Sequence, residues 1–264
     1  YGAISKPAVQ ALSRGAAMAG CWMCTGEGGL STFHLEGNCD IVFQIGTAKY
    51  GVRGETGDYD LQRLQKIAGN RQVKMLELKL SQGAKPGKGG ILPAVKVTEE
   101  ISEIRGIPEG LASISPNRHT DIANNTQLLE RIAWLRETCG KPVGIKLVLG
   151  DVSWLDELMH TIETMGEDMA PDFITLDGAG GGTGAAPLTL IDDVGLSLQE
   201  ALPILVDKLV EYRLRDRIRV IASGKLINPA DVAWALCVGA DAVNNARGFM
   251  FSLGCIQAMQ CNKN

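Results

Sequence analysis

Short apolar runs that suit β-strands alternate with amphipathic, helix-like segments along nearly the whole chain. An apolar helix pattern follows Pro7, and after it come seven strand candidates, each followed by a helix. The strand candidates are Cys21–Thr25, Ile41–Ile45, Val73–Leu80, Val143–Leu149, Phe173–Leu176, Ile218–Ala222 and Ala242–Asn245. Strict alternation of strand and helix predicts a parallel sheet with helices packed on it.

The number of units predicts how this sheet closes. Seven strand–helix units and an opening helix without its strand add up to a (β/α)8 barrel whose first strand is largely missing from the chain. The 264 residues fit one such domain, so we expect a single domain over 1–264, a fragment at both ends. The alternative is an open, doubly wound sheet, but the glycine fingerprint G-x-G-x-x-G is absent after a first strand.

Composition excludes several classes of protein. The net charge is −4 with both signs interspersed, so no basic block indicates nucleic-acid binding. No apolar run reaches the roughly 18 residues of a membrane span. Seven scattered cysteines, an odd number, favour a reducing compartment, and we expect a cytoplasmic protein.

Alternation along the strands assigns polar side chains to the barrel interior. In the fourth barrel strand Glu77 and Lys79 point inward, and Gln82 and Lys85 follow in the next loop. Active sites of such barrels lie at the carboxyl ends of the strands, so these residues predict a site for an anionic substrate. The alternative is that Lys79 pairs with Glu77 and that Lys85 is solvated.

Two further inward side chains suit a flat cofactor. Lys146 of the fifth strand is costly to bury unless an anion receives it, and a reduced flavin is one such anion. The alternative is a buried glutamate partner such as Glu77. Gln44 of the third strand carries an amide, which reads both a donor and an acceptor of a heterocycle.

Glycine-rich loops follow the last strands. The loops after strands seven and eight are the usual phosphate site of the barrel, and Gly224, Arg247 and Gly248 lie there. The loop Asp177–Ala185, after strand six, is rich in glycine and could cover a planar cofactor.

Ten stretches together resemble the FMN-binding synthase domain of glutamate synthase and its stand-alone relatives. They occur in the family's order over nearly the whole chain. They are YGAISKPA, TGEGG, ELKLSQGAKPGKGGILP, EIRGIPEG, SISPNRHTDI, GKPVGIKLV, DGAGGGTGAAP, IASGKL, GADAVNNARG and LGCIQAMQCN.

The resemblance implies an FMN-containing (β/α)8 barrel that condenses 2-oxoglutarate with ammonia and reduces the imine to L-glutamate. It implies that FMN is held by Gly2, Ala3, Thr25, Gln44, Lys146, Gly224, Arg247 and Gly248. It implies that 2-oxoglutarate is bound by Lys79, Gln82, Lys85 and Arg105. Glu27 resembles the acidic residue near the ammonia entry, and Glu27 and Lys146 are the expected catalytic residues.

An iron–sulfur site is also implied. Cys255 and Cys261 match the first two ligands of the family's [3Fe–4S] motif, whose third cysteine is expected just past Asn264. Two thiolates alone do not hold a cluster, so it is expected only in a longer chain.

The sequence departs from the family in two places. No segment resembles the N-terminal glutaminase domain, and the family's GEGGED reads Gly26–Ser31 here, without the acidic pair. These departures leave open whether glutamate is the product, and they leave free ammonia, a partner glutaminase subunit or another amine as nitrogen source. We expect ferredoxin or an NAD(P)H-linked partner as electron donor.

Two other functions stay open. An FMN-dependent 2-hydroxy-acid oxidase or dehydrogenase would need a histidine base with an adjacent arginine after strand seven. None of His34, His119 and His160 lies there. The other alternative is a non-catalytic flavin electron-transfer subunit, which would not turn over 2-oxoglutarate.

Overall fold

The computed structural model describes residues 1–85, 87, 89–180, 186–187 and 189–258. Within them lie nine strands and nine α-helices. The strands are β1 (Met23–Cys24), β2 (Ile41–Ile45), β3 (Val73–Lys79), β4 (Ile91–Leu92), β5 (Ser113–Ile114), β6 (Val143–Val148), β7 (Phe173–Asp177), β8 (Arg219–Ser223) and β9 (Ala242–Asn244). The helices are α1 (Lys6–Ala19), α2 (Thr32–Leu35), α3 (Leu61–Ala68), α4 (Glu99–Arg105), α5 (Asn125–Cys139), α6 (Ser153–Met165), α7 (Leu198–Glu211), α8 (Pro229–Val238) and α9 (Arg247–Ser252).

Seven strands form one parallel sheet in the order β1-β2-β3-β6-β7-β8-β9. Every neighbouring pair is parallel, as the alternation of strand and helix predicts. The order follows the chain without a reversal, whereas a doubly wound sheet changes direction at a switch point.

The sheet curls so that its two edge strands, β1 and β9, approach each other without pairing in the described residues. The indole Nε1 of Trp22, just before β1, donates to Asn244 Oδ1 at the end of β9, at 3.2 Å. In a flat sheet these two strands would lie six strand spacings apart, roughly 29 Å. Side chains from six of the seven strands also share one small interior cluster: Cys24, Val42, Met75, Phe173, Ile221 and Ala242. The predicted barrel architecture is confirmed.

The outward face of the sheet carries the main core. Leu76 and Leu78 of β3 and Ile145 of β6 are fully buried against the surrounding helices. The inward face of the same strands carries Glu77, Lys79 and Lys146. The two faces therefore alternate as the sequence predicts, because successive side chains of a strand point to opposite sides.

A small antiparallel sheet between β3 and α5 was not predicted. Ile91 of β4 pairs with Ile114 of β5, and α4 lies between these two strands in sequence. Two-residue strands are too short to show an alternating pattern.

The apolar pattern near the end of the sequence predicts a closing helix over Phe249–Met259, and the helix found there has other bounds. Helix α9 begins two residues earlier and ends at Ser252. Gly254 follows with a φ of +86°, a conformation that terminates helices. Across the described part of the chain, no helix combines the length and apolar character needed to cross a bilayer.

Candidate active site

Inside the barrel Glu77 of β3 accepts hydrogen bonds from the adjacent strand β2 and, across the interior, from β7. Gln44 Nε2 donates to its Oε1 at 2.5 Å and Thr175 Oγ1 to its Oε2 at 2.5 Å, and all three side chains are buried. The Cys24 thiol lies 3.8 Å from Glu77 Oε1. Burial, and then the negative charge of Glu77, raise the pKa of Cys24 to about 12, so this cysteine is a neutral thiol. Because the Gln44 amino group is used by Glu77, its carbonyl oxygen is the atom left to accept from a ligand.

Lys146 pairs with Asp177, a residue that the sequence reasoning did not single out. Nζ of Lys146 lies 3.2 Å from Asp177 Oδ2, across the adjacent strands β6 and β7. Burial acts to lower the pKa of Lys146, but Asp177 and then Glu77 outweigh it and raise the pKa above its usual value. Asp177 shares the strand parity of Phe173 and Thr175, and this parity was the available signal that it points inward.

Glu27 and Lys79 form an ion pair at the carboxyl end of β3. Lys79 Nζ lies 3.0 Å from Glu27 Oε2 and 3.3 Å from Gln82 Oε1, and Gln82 Nε2 also donates to Glu27. The alternative that Lys79 pairs with Glu77 is therefore wrong. Glu77 lies two residues deeper along the strand, where Gln44 and Thr175 take both of its oxygens.

The environment of Glu27 keeps it ionised. Burial favours the protonated acid, but the charge and hydrogen bond of Lys79, the hydrogen bond of Gln82 and the charge of Lys85 together lower the pKa of Glu27 below its usual 4.5. The space around it is tight, since a Cβ on Gly46 would lie 2.7 Å from Glu27 Cβ and one on Gly90 would lie 2.8 Å from Oε1. The carboxylate is thus a fixed negative charge among cations.

Lys85 and Arg105 add two more buried cations. Burial lowers the pKa of Lys85, opposed by the Glu27 charge, so the alternative of a solvated loop charge is wrong. Arg105, the last residue of α4, donates to the Tyr1 carbonyl oxygen from Nε at 3.2 Å and Nη2 at 2.9 Å. Its guanidinium lies 4.8 Å from the centre of the Tyr50 ring.

The residues expected to contact FMN near the start of the chain lie beside this cluster. The main chain at Gly2 has a φ of +111°, and a Cβ there would lie 3.0 Å from Arg105 Nη2. Ala3 is exposed. Thr25 Oγ1 accepts from the Gln44 main-chain N–H at 3.0 Å, which links it to β2.

The expected phosphate loops follow β8 and β9. Gly224 has a φ of +131°, and a Cβ there would lie 2.8 Å from the Gly178 nitrogen, so the main chain approaches closely. The Gly248 main-chain N–H donates to Asn245 Oδ1 at 2.8 Å. Arg247, the first residue of α9, is half-buried.

The expected iron ligands are only partly described. Cys255 is a free cysteine whose main-chain N–H donates to Met250 O at 3.0 Å, and Cys261 lies outside the described residues. The structurally described segments contain no group of three or more histidine, cysteine, aspartate or glutamate side chains that could hold a metal ion.

His119 was missed and lies directly behind Lys79. Its Nε2 is 2.8 Å from the Lys79 carbonyl oxygen, which can only accept, so Nε2 carries the proton. Burial lowers the pKa of His119, so the ring is neutral and Nδ1 is an acceptor. The HTDI stretch marked this region in sequence, but nothing in it indicated a contact with Lys79.

Comparison with known proteins places the chain among relatives. Residues 1–264 match the family model described as the conserved region in glutamate synthase. The glutamate synthase large subunit-like protein YerD of Bacillus subtilis strain 168 is 46% identical over 265 residues, which cover 100% of this chain and 50% of that protein. The archaeal glutamate synthase [NADPH] of Methanocaldococcus jannaschii is 36% identical, over 99% of this chain and 48% of that protein. The chain thus spans about half the length of these relatives.

Solved structures show the same fold at low identity. An oxidised active mutant of (S)-mandelate dehydrogenase superposes with a TM-score of 0.59 at 17% identity, covering 97% of this chain and 67% of that one. The recombinant flavin-binding domain of baker's yeast flavocytochrome b2 gives 0.55 at 16% identity, covering 97% and 56%. At such identities the likeness concerns the fold alone.

Proposed function

Because the chain belongs to the glutamate synthase family, we propose that it forms the FMN-binding catalytic barrel of an oxidoreductase that converts 2-oxoglutarate and ammonia into L-glutamate. The observation that carries this proposal is the cluster of Glu27, Lys79, Gln82 and Lys85 at the carboxyl ends of the strands, beside the polar interior of the barrel. Barrels of this kind build their active sites at that end.

The donor set at this end fits FMN. Gln44 has a carbonyl oxygen left for a donor, and Lys146 is a permanent cation for an electron-rich ring. Thr25 contributes indirectly, because its hydroxyl accepts from the Gln44 main-chain N–H and donates to the Gly26 carbonyl oxygen. At Gly224 the main chain passes close to Gly178 and carries no side chain. Backbone groups of this loop, together with Arg247, would therefore receive the phosphate. When bound, FMN would supply the hydride that reduces the imine carbon.

The charges match the proposed substrate. Lys79, Lys85 and Arg105 are cations and Glu27 is an anion, so the four residues carry two net positive charges, opposite to those of the dianion 2-oxoglutarate. Charge-assisted hydrogen bonds from lysine and arginine to carboxylates would hold both ends of the substrate. Two anchored ends fix the position of the carbonyl carbon between them, which supplies orientation.

Glu27 would bind the nitrogen substrate, ammonium. As an ionised carboxylate it can bind an ammonium ion beside the substrate, and ammonia, formed as the ammonium proton passes to water, attacks the substrate carbonyl. Loss of water then gives 2-iminoglutarate, which a hydride at carbon and a proton at nitrogen convert into glutamate. Lys146 stays protonated throughout because of its two acidic neighbours, so its role is electrostatic.

Two finer parts of the proposal concern electron and nitrogen supply. We propose ferredoxin or NAD(P)H, through a partner, as electron source, and free ammonia or a glutaminase subunit as nitrogen source. The described part of the chain, with Cys255 as the one described member of the LGCIQAMQCN cysteine pair, does not by itself fit an iron–sulfur cluster, so no step is derived through one.

The 2-hydroxy-acid oxidase alternative is not favoured by the site. His34 lies on α2 and His160 on α6, away from the end of β8. His119 is held by the Lys79 carbonyl oxygen, and this neutral ring is engaged in positioning β3.

An anaerobic turnover assay tests the proposal. The intact protein, loaded with FMN, is given 2-oxoglutarate, ammonium or glutamine, and reduced ferredoxin or NAD(P)H, and glutamate is measured. We expect glutamate formation that is lost in Lys79→Met and kept in Lys66→Met, an exposed lysine of α3. FMN binding without glutamate formation under any of these combinations would favour a non-catalytic flavin subunit instead.

A further inference from the structure

Lys146 shares its positive charge with two carboxylates. Asp177 lies 3.2 Å from its ammonium group, and the negative charge of Glu77, after that of Asp177, also raises the pKa of Lys146. Both oxygens of Glu77 accept hydrogen bonds from neutral donors, as an ionised carboxylate does. One cation therefore faces two anions in this interior layer.

The two carboxylates reduce the net positive charge that Lys146 presents to a bound ligand. A lysine with no acidic partner would stabilise a negatively charged ring with its full positive charge. Here the layer of Glu77, Lys146 and Asp177 carries one net negative charge. Glu77 is buried, and the side chains of Lys146 and Asp177 are 19% and 23% exposed, so water screens this charge only in part.

Asp177 is also tied to the loop after β8. It is aligned in register with Ser223, and a Cβ on Gly224 would lie 3.6 Å from its Oδ1. The carboxylate therefore sits between Lys146 and the loop that we assign to the phosphate. Asp177 is therefore beside the part of the site that we assign to the phosphate end of FMN.

Resting on the proposed binding of FMN, we propose that Asp177, with Glu77, makes the site prefer oxidised over reduced FMN by pairing with Lys146 and adding negative charge to the interior layer beside the proposed flavin site. Oxidised FMN takes up two electrons and one proton to give a reduced ring with one extra negative charge. That charge is repelled by the acidic layer, so the reduction potential of the bound flavin is lowered. Asp177 is in this sense a positioning residue that acts through Lys146.

The test is a redox titration of the FMN-loaded intact protein with dithionite, against a reference dye, with flavin absorbance as the readout. In Asp177→Asn we expect affinity for reduced FMN, relative to oxidised FMN, to rise at least tenfold. For a two-electron couple this is a positive shift of about 30 mV or more. Glu77→Gln should shift the potential in the same direction, and Lys146→Met in the opposite one.

Asp172→Asn is the matched control. Asp172 precedes the same strand, β7, at its other end, and its side chain is 24% exposed against 23% for Asp177. It pairs with Arg136 rather than with Lys146. Asp172 is five residue steps from Asp177 along the strand, roughly 16 Å, so its loss should leave the potential unchanged.

The outcomes separate the two proposals. A potential that moves in Asp177→Asn and Glu77→Gln no more than in the control, or that falls, overturns this inference while FMN binding stands. Failure of the intact wild-type protein to take up FMN overturns the proposed function and this inference together. A purely structural ion pair would lower stability in Asp177→Asn without moving the potential.

Discussion

Lys85 is buried although it lies in a loop. Burial disfavours its charged form and so lowers its pKa. Lys85→Ala should raise the KM for 2-oxoglutarate by the value of one charge-assisted hydrogen bond, about 1.5–3 kcal/mol, or roughly 10- to 150-fold. Steady-state kinetics checks this, with Lys66→Ala as the exposed control. A KM within twofold of wild type would contradict the assignment of Lys85 to the substrate.

The lowered pKa of Lys85 adds a dependence on pH. A lysine binds an anion only while protonated, so KM should begin to rise with pH earlier than for a lysine of the usual pKa, 10.5. The profile of KM against pH, compared with that of Lys85→Arg, measures this. Since arginine stays charged, the alkaline rise should disappear in that variant, and its persistence would place the titration elsewhere.

Glu27 should affect the two substrates in opposite directions. Glu27→Gln removes a negative charge that repels the substrate dianion and removes the anion proposed to hold ammonium. We expect KM for 2-oxoglutarate to fall and KM for ammonium to rise by the value of one charge-assisted hydrogen bond, about 1.5–3 kcal/mol, or roughly 10- to 150-fold. Steady-state kinetics with each substrate varied in turn gives both constants. An unchanged KM for ammonium would show that Glu27 takes no part in binding it.

The lowered pKa of Glu27 also leads to a prediction of how the stability of the fold depends on pH. The pKa of Glu27 is lower in the folded protein than its usual 4.5, so its ion pair with Lys79 stabilises the fold above that value. This stabilisation is lost as pH falls through the folded-state pKa. Urea unfolding from pH 6 downward should therefore show a smaller acid loss in Glu27→Gln than in wild type. Equal acid losses in the two proteins would contradict the pair's contribution.

At the scale of elements, the inward face of β6 is shaped around its neighbour β7. A Cβ on Gly144 would lie 2.4–2.5 Å from ring carbons of Phe173, so the glycine makes room for that ring inside the barrel. Gly144→Ala should lower the free energy of unfolding by about 1–3 kcal/mol through overpacking. Urea denaturation measures it.

Gly15 provides the control for this substitution. It lies within α1, and a Cβ there would meet no atom within 4 Å. Gly15→Ala should therefore raise stability by about 0.5–1 kcal/mol, the helix preference of alanine over glycine. Destabilisation of the same size at both positions would mean that the strand glycine is not specifically packed.

At the scale of the whole molecule, the hydrogen bond from Trp22 to Asn244 joins the two ends of the sheet. Trp22→Phe keeps an aromatic ring but removes the donor, and should cost about 0.5–1.5 kcal/mol of stability. Trp234→Phe, where the ring packs against the outer core, is the control for the loss of an indole. Hydrogen exchange of β1 and β9 should rise selectively in Trp22→Phe, and uniform exchange across the sheet would argue against a closing role.

Local pattern was sufficient for the architecture and for the direction of side chains. The alternation of strand and helix predicts the parallel barrel. The two-residue period of a strand places Glu77, Lys79 and Lys146 inward, because the direction of a side chain depends only on its position among neighbouring residues. The small sheet of β4 and β5 escaped this reasoning because two residues carry no period.

Only the tertiary structure decided which of these side chains meet. Lys79 pairs with Glu27, which is 52 residues away, rather than with Glu77, and Lys146 pairs first with Asp177 on the next strand. Trp22 and Asn244 lie 222 residues apart. Such partners are set by the curl and register of the sheet. A charge's nearest counter-charge therefore depends on the packing of the whole chain, and no local stretch of sequence specifies it.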